Sequence, residues 1–252
     1  MPAIKKVLGI IDWGIGGTSI VKLIKEKIGD VRIVYLSDTG VTPYGRMKRD
    51  ELAARLETVI GFLNKQGVTH ILMGCNAASS VMPYLREQTV PMMGVIEAAV
   101  ACTARVRPER LGLIGGRQTI ISGAYRRAFR DFGIRVHQRI AQPLSALIEN
   151  GDVSSNELRD ECKRILEPIR NSSHILLACT HYPAILSVLR EYVSPQTFFI
   201  DPAPELVGSL CDWDLGYNGD DAYLTTGDGG KMIAAAKGAF GWDIGKATRV
   251  TI

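Results

Sequence analysis

Two cysteines in this chain stand where a thiol could do chemistry: Cys75 in GCNAAS and Cys179 in ACTHYP. Each follows a short apolar run, HILMG at 70–74 and HILLA at 174–178. A thiol titrates near neutrality, at about 8.5, and neighbours tune it. One thiolate and one thiol on opposite faces of an α-carbon could remove a proton from one face and return one to the other. That inverts the centre, and no cofactor is required if fixed donors stabilise the carbanion. Asp12 ends the first apolar run and His181 lies two residues after Cys179, so each could exchange a proton with its cysteine. Loop or capping roles for both residues remain open at this stage. Cys-Thr-His could be half of a metal site, but no further ligand stands at zinc-like spacing, so no metal is expected. Cys102, Cys162 and Cys211 fall in helical stretches and read as small packing residues.

The elements that would carry these residues alternate. VLGII (7–11), VRIVYL (31–36), HILMG (70–74), MMGVI (92–96), LGLIG (111–115), IRVHQ (134–138), HILLA (174–178) and TFFI (197–200) read as strands buried on both faces. Helical patterns lie between them. In the clearest, Leu52, Leu56, Val59, Ile60 and Leu63 share one face. The alternation predicts an α/β protein with doubly wound, mostly parallel sheets. HILMGCN aligns with HILLACT at an offset of 104, and LGII at 8–11 aligns with LGLI at 111–114 at an offset of 103. Two similar α/β units are therefore expected, each with a cysteine just past the carboxyl end of an equivalent strand. That end is where ligands bind in open α/β sheets. Gly14-Ile15-Gly16-Gly17 should turn the chain from the first strand into a helix and present amides to an anion, though a plain turn reads equally well.

The chain also resembles the aspartate/glutamate racemase superfamily, most of all bacterial glutamate racemase. The matching stretches are IIDWGIGGTSIV, Pro43-Tyr44-Gly45 after YLSD, GCNAAS, GLIGGRQTIISGAY, QPLSALIENG, ACTHYPAIL, DPAPELV and YLTTGD. The resemblance implies that Cys75 and Cys179 are the acid/base pair, acting on the D- and L-enantiomer respectively. It implies that Asp12 assists Cys75, and that His181 and Glu149 assist Cys179. Pro43, Tyr44, Gly45, Asn76, Thr119 and Thr180 would hold the substrate. It further implies an active site between the two domains, no cofactor, a homodimer and D-glutamate for the bacterial cell wall. The first domain would take residues 1–97 plus 206–252, and the second 98–205.

Three positions depart from the pattern. Trp13 replaces a serine, Ala77 a threonine and Gly116 a threonine. Trp13 and Ala77 would line the substrate cradle, and each lost hydroxyl removes a bond to a charged ligand worth roughly 1.5–3 kcal/mol. Racemisation of glutamate is the first expectation, of aspartate the second. An altered pocket for another amino acid or a hydantoin stays open, as does a non-catalytic binding or regulatory role. With 30 basic and 26 acidic residues, the charge looks too mild and too evenly spread for nucleic acid or membrane partners. Five sparse cysteines, no signal-like N-terminus and no long apolar run suggest a cytoplasmic protein that takes a small-molecule substrate.

Overall fold

The structure, a computed structural model, describes residues 6–87, 89–215 and 219–252. Its strands are β1 (Leu8–Asp12), β2 (Ile33–Ser37), β3 (His70–Met73), β4 (Met92–Gly94), β5 (Leu111–Gly115), β6 (Val136–Ile140), β7 (His174–Ala178), β8 (Phe198–Ile200), β9 (Ala222–Thr225) and β10 (Ala247–Arg249). The helices are α1 (Thr18–Lys27), α2 (Arg49–Lys65), α3 (Asn76–Ser79), α4 (Val95–Val106), α5 (Arg117–Ile121), α6 (Ala124–Arg130), α7 (Gln142–Glu149), α8 (Asn156–Leu166), α9 (Leu186–Arg190), α10 (Ala203–Ser209) and α11 (Gly229–Phe240).

These strands form two parallel sheets, ordered β10-β9-β2-β1-β3-β4 and β6-β5-β7-β8. The order β2-β1-β3-β4 is repeated as β6-β5-β7-β8. Register repeats as well: Leu8 pairs with His70 as Leu111 pairs with His174. The internal similarity of the sequence is thus a similarity of topology, with β9 and β10 added at one edge of the first sheet.

The inner strands β1, β2 and β5 are buried on both faces, which explains their continuous apolar runs, whereas the edge strand β6, expected to be buried, has no buried residue. Leu8 and Ile10 join the core under α1, α10 and α11, while Ile11 joins the core under α2. The predicted α2 face is fully buried: Leu52, Leu56, Val59, Ile60 and Leu63. In the second sheet, Ile114, Ile175 and Leu177 meet α7 and α8, and Leu111, Leu113 and Leu176 meet α6. Helix α4 serves both units. Val95 and Ala98 enter the first core, and Ile96, Ala99 and Val100 enter the second. The expected boundaries at 97/98 and 205/206 fall inside α4 and α10.

Two expectations need correction. The run MMGVI is not one strand: β4 stops at Gly94 and Val95 begins α4. Its apolar residues are buried either way, so their character does not report the change of element. Cys162 is buried and Cys102 partly so, but Cys211 is exposed on a short 3-10 turn and is not a packing residue. No helix among the described residues is long and apolar enough to cross a membrane.

Candidate active site

Parallel strands end at one edge, and both cysteines lie just beyond it. Cys75 caps α3 after β3, and Cys179 follows β7. Both are free and partly buried, and both open into one cleft of about 140 Å³ between the units. That is well below the roughly 300–1,000 Å³ of sites for drug-sized ligands, and suits a small metabolite. Asp12, Trp13, Pro43, Tyr44, Gly45, Asn76, Ala77, Thr119, Glu149, Thr180 and His181 line the same cleft. The residues that the family resemblance implies for the site, together with Trp13, Ala77 and Gly116, therefore line one space, whereas residues 14–17 do not.

Asp12 is the last residue of β1 and almost fully buried. Its Oδ2 accepts the Gly17 N–H at 2.6 Å and lies 3.0 Å from the Tyr35 hydroxyl. Its Oδ1 accepts the Trp13 N–H at 2.8 Å. Burial, and then the Asp12 charge, push the Cys75 thiol far above its ordinary value, although the Ala77 and Ala78 amides pull the other way. Cys75 therefore holds its proton at neutral pH.

The other side is built from α7 and the turn after β7. His181 Nδ1 lies 3.7 Å from Cys179 Sγ, and its Nε2 lies 2.7 Å from Glu149 Oε2. Burial alone would lower this imidazole, but the bonds to Cys179 and Glu149 outweigh it and hold His181 well above its usual value. A protonated ring donates from both nitrogens, which matches this geometry. Tyr182 anchors the turn by donating to the Ala141 carbonyl at the start of α7, at 2.9 Å.

The glycine loop has a use the sequence reading did not foresee. Its amides are taken by protein carboxylates: Gly17 N–H by Asp12, and Ile15 N–H by Glu149 at 2.9 Å. Ile15 belongs to the first unit and Glu149 to the second, so this bond closes the cleft. Side chains are excluded from the loop by contact. A Cβ on Gly14 would collide with the Glu149 carboxylate, and one on Gly16 would collide with Thr180 Oγ1 and sit 2.6 Å from His181 Nδ1. Gly16→Ala must displace the His181 pair, and displacements of about 1 Å cost on the order of 100-fold in rate. We expect a loss of that size in turnover with a near-normal melting temperature. Unchanged turnover would show that the close approach is unimportant.

The remaining residues are held as follows. Tyr44 is buried and its hydroxyl donates to Asp38 Oδ2 at 2.7 Å, so that hydroxyl is committed within the protein. Asp38 in turn accepts both Arg55 Nε and Arg55 Nη2, at 2.8 and 2.6 Å. This pair fixes the Pro43–Gly45 segment against β2. Asn76 Oδ1 accepts the Tyr125 hydroxyl at 2.6 Å, while its Nδ2 is buried without a partner among the described residues. An orphan buried donor costs about 1–3 kcal/mol unless a ligand satisfies it. Trp13 lines the cleft and packs on the first core, with its indole N–H on the Val41 carbonyl at 3.1 Å. Trp13 and Ala77 make this wall apolar.

Sequence reasoning passed over Arg46, Gln142, Ser145, Ala146 and Asn150, which also line the cleft. A signal existed for most of them. Gln142, Ser145, Ala146 and Glu149 are spaced i, i+3, i+4, i+7, one face of α7, while Leu144 and Ile148 are buried on the other.

A sequence model of the family described as Asp/Glu/Hydantoin racemase matches residues 8–210. A protein named glutamate racemase from Desulforudis audaxviator (strain MP104C) is 33% identical over 210 residues, covering 81% of this chain and 77% of its own. Glutamate racemase from Thermus thermophilus, solved in complex with β-chloro-D-alanine, superposes with a TM-score of 0.87 at 27% identity and covers 98% of both chains. Glutamate racemase from Francisella tularensis, solved in complex with D-glutamate, has the same fold: TM-score 0.88 at 24% identity, again with 98% of both chains covered.

Proposed function

The chain belongs to the Asp/Glu/hydantoin racemase family and is an isomerase that racemises an amino acid; from that premise we propose that it interconverts L- and D-glutamate, with Cys75 and Cys179 as the two proton-transfer groups and no cofactor. One observation carries the reading. Two free thiols open into a single small cleft, one beside Asp12 and the other on a His181–Glu149 pair.

Each turnover moves two protons. In the L-to-D direction the Cys179 thiolate takes the α-proton and Cys75 gives its own to the opposite face. In the reverse direction the roles exchange. The raised Cys75 value supports its part as the resting acid. His181, held protonated, steadies negative charge on the Cys179 side. The orphan Asn76 Nδ2, with Thr119 and Thr180 on the cleft wall, supplies donors for a substrate carboxylate. Arg46 adds a cation to the cleft lining, a partner for the distal carboxylate of an acidic amino acid. D-glutamate formed this way would serve the bacterial cell wall.

Incubation of L-glutamate in deuterated water is expected to yield D-glutamate carrying deuterium at the α-carbon, read by chiral chromatography and proton NMR. If both L-glutamate and L-aspartate stay unexchanged, the substrate assignment is wrong. The apolar wall of Trp13 and Ala77 favours one second reading, the same chemistry on an amino acid or hydantoin without the distal carboxylate. A panel of such compounds assayed by optical rotation separates the two.

A further inference from the structure

The charge is uneven along the chain, contrary to the expectation drawn from its overall balance. Residues 105–139 hold nine arginines and only two acids, Glu109 and Asp131, so the rest of the chain is net acidic. Part of this charge meets the first unit in a second cavity, of about 390 Å³, beside the mouth of the catalytic cleft. Arg46, Lys48 and Arg49 enter it from the start of α2, and Arg117 and Arg127 from α5 and α6. Among the described residues no acidic side chain lines it. Arg49 pairs with Asp50 at 2.8 Å and lies 4.6 Å from the centre of the Tyr84 ring. Arg127 donates to the Ser122 carbonyl at 2.8 Å. Among the described residues, Arg46, Lys48, Arg117 and Arg127 have no carboxylate partner.

So many cations facing one concavity repel one another unless an anion joins them. Arginine forks match phosphate oxygens two at a time, and a lysine adds a point charge. The cavity also exposes two large apolar side chains, Tyr84 at 47% and Ile121 at 55%. Phosphate-binding cations beside an exposed ring fit a ligand with a compact polyanionic end and a flat base. We propose that this cavity binds a nucleoside di- or triphosphate, its phosphates on Lys48, Arg117 and Arg127 and its base against Tyr84 and Ile121. Such a ligand bridges the two units where the Gln118 N–H already reaches the Gly45 carbonyl, at 3.0 Å. The concave, bounded shape favours it over a nucleic acid, which would spread along the wider arginine face of Arg126, Arg130 and Arg135.

The test is calorimetric titration of the full chain with ATP, inorganic triphosphate and a short DNA duplex at near-physiological salt. ATP is expected to bind one per chain, several-fold tighter than triphosphate, and to raise the melting temperature. Lys48→Ala combined with Arg117→Ala should weaken ATP at least tenfold, and Tyr84→Ala should bring ATP down to the affinity of triphosphate. Glutamate exchange without ATP should be unaltered by all three substitutions, which keeps this proposal separable from the racemase reading. Absence of saturable ATP binding overturns the proposal. So does binding that ignores these substitutions, triphosphate equal to ATP in the unaltered chain, or DNA binding that outcompetes ATP.

Discussion

Cys75→Ala is expected to lower racemisation by roughly 10²–10⁴, the usual contribution of a positioned acid or base. The loss must be equal in both directions. L- and D-glutamate have the same free energy in water, so the ratio of their kcat/KM values is fixed at one. Exchange of the α-proton is not so constrained. With Cys75 gone, Cys179 can still take a proton from the face it touches and return one to that same face. L-glutamate should then incorporate deuterium slowly with its configuration retained, and D-glutamate should not. Cys179→Ala should give the mirror result. Mass spectrometry of each recovered enantiomer reads both outcomes, and melting curves check that the fold survives. Inversion that persists at the native rate in either variant would remove that thiol from the mechanism. The raised Cys75 value adds a pH signature. Loss of the Cys75 proton removes the acid that the L-to-D direction needs, and because the two kcat/KM values are tied they should fall together, and only above the ordinary thiol range of about 8.5.

Glu149→Gln is expected to have the next largest effect, because one oxygen, Oε2, serves both His181 Nε2 and the Ile15 N–H. The amide keeps the shape and removes the charge. Burial already works to lower His181, so losing this partner should drop its titration markedly, while the Cys179 bond remains. The chain has four histidines, so imidazole NMR can follow the shift directly. Turnover should fall about 10- to 100-fold, in line with loss of the group that orients an acid/base residue. Stability should change too. A histidine raised in the folded state stabilises it fully below the unfolded value of about 6.5, and that contribution fades as pH rises through the folded value. Melting temperature in the native chain should therefore decline over that span, and the decline should flatten in Glu149→Gln. Titration and turnover that both stay at native values would show that Glu149 does not act through His181.

What could be read from sequence was what local pattern encodes. Eight of the ten strands among the described residues were visible in sequence, the inner ones because strands covered on both faces demand apolar runs. β9 and β10 were not. AYLT is hemmed by Asp220, Asp221 and Asp228, and ATR is a three-residue edge strand with its last two side chains exposed. Neither buries enough on two faces to leave an apolar signature. The cysteines and Asp12 were legible because strand ends collect ligands in such sheets. The Asp38–Arg55 pair and the Arg46 cluster were not, since both depend on contacts between elements that carry no periodicity. The glycine loop was legible as a turn, but its purpose is a close approach to Glu149 and Thr180, more than 100 residues away.

The bond from Ile15 to Glu149 couples timing to chemistry. Among the described residues Ile15 N–H is the donor that Glu149 takes from the first unit, so any parting of the units would break this bond. Water would then reach the imidazole, and the raised proton affinity of His181 would fall back toward that of a free side chain. A carbanion exposed to bulk water would be quenched on whichever face water reached first. On the proposed mechanism, breaking the Ile15–Glu149 bond would loosen both the group that makes that carbanion and the barrier that shields it.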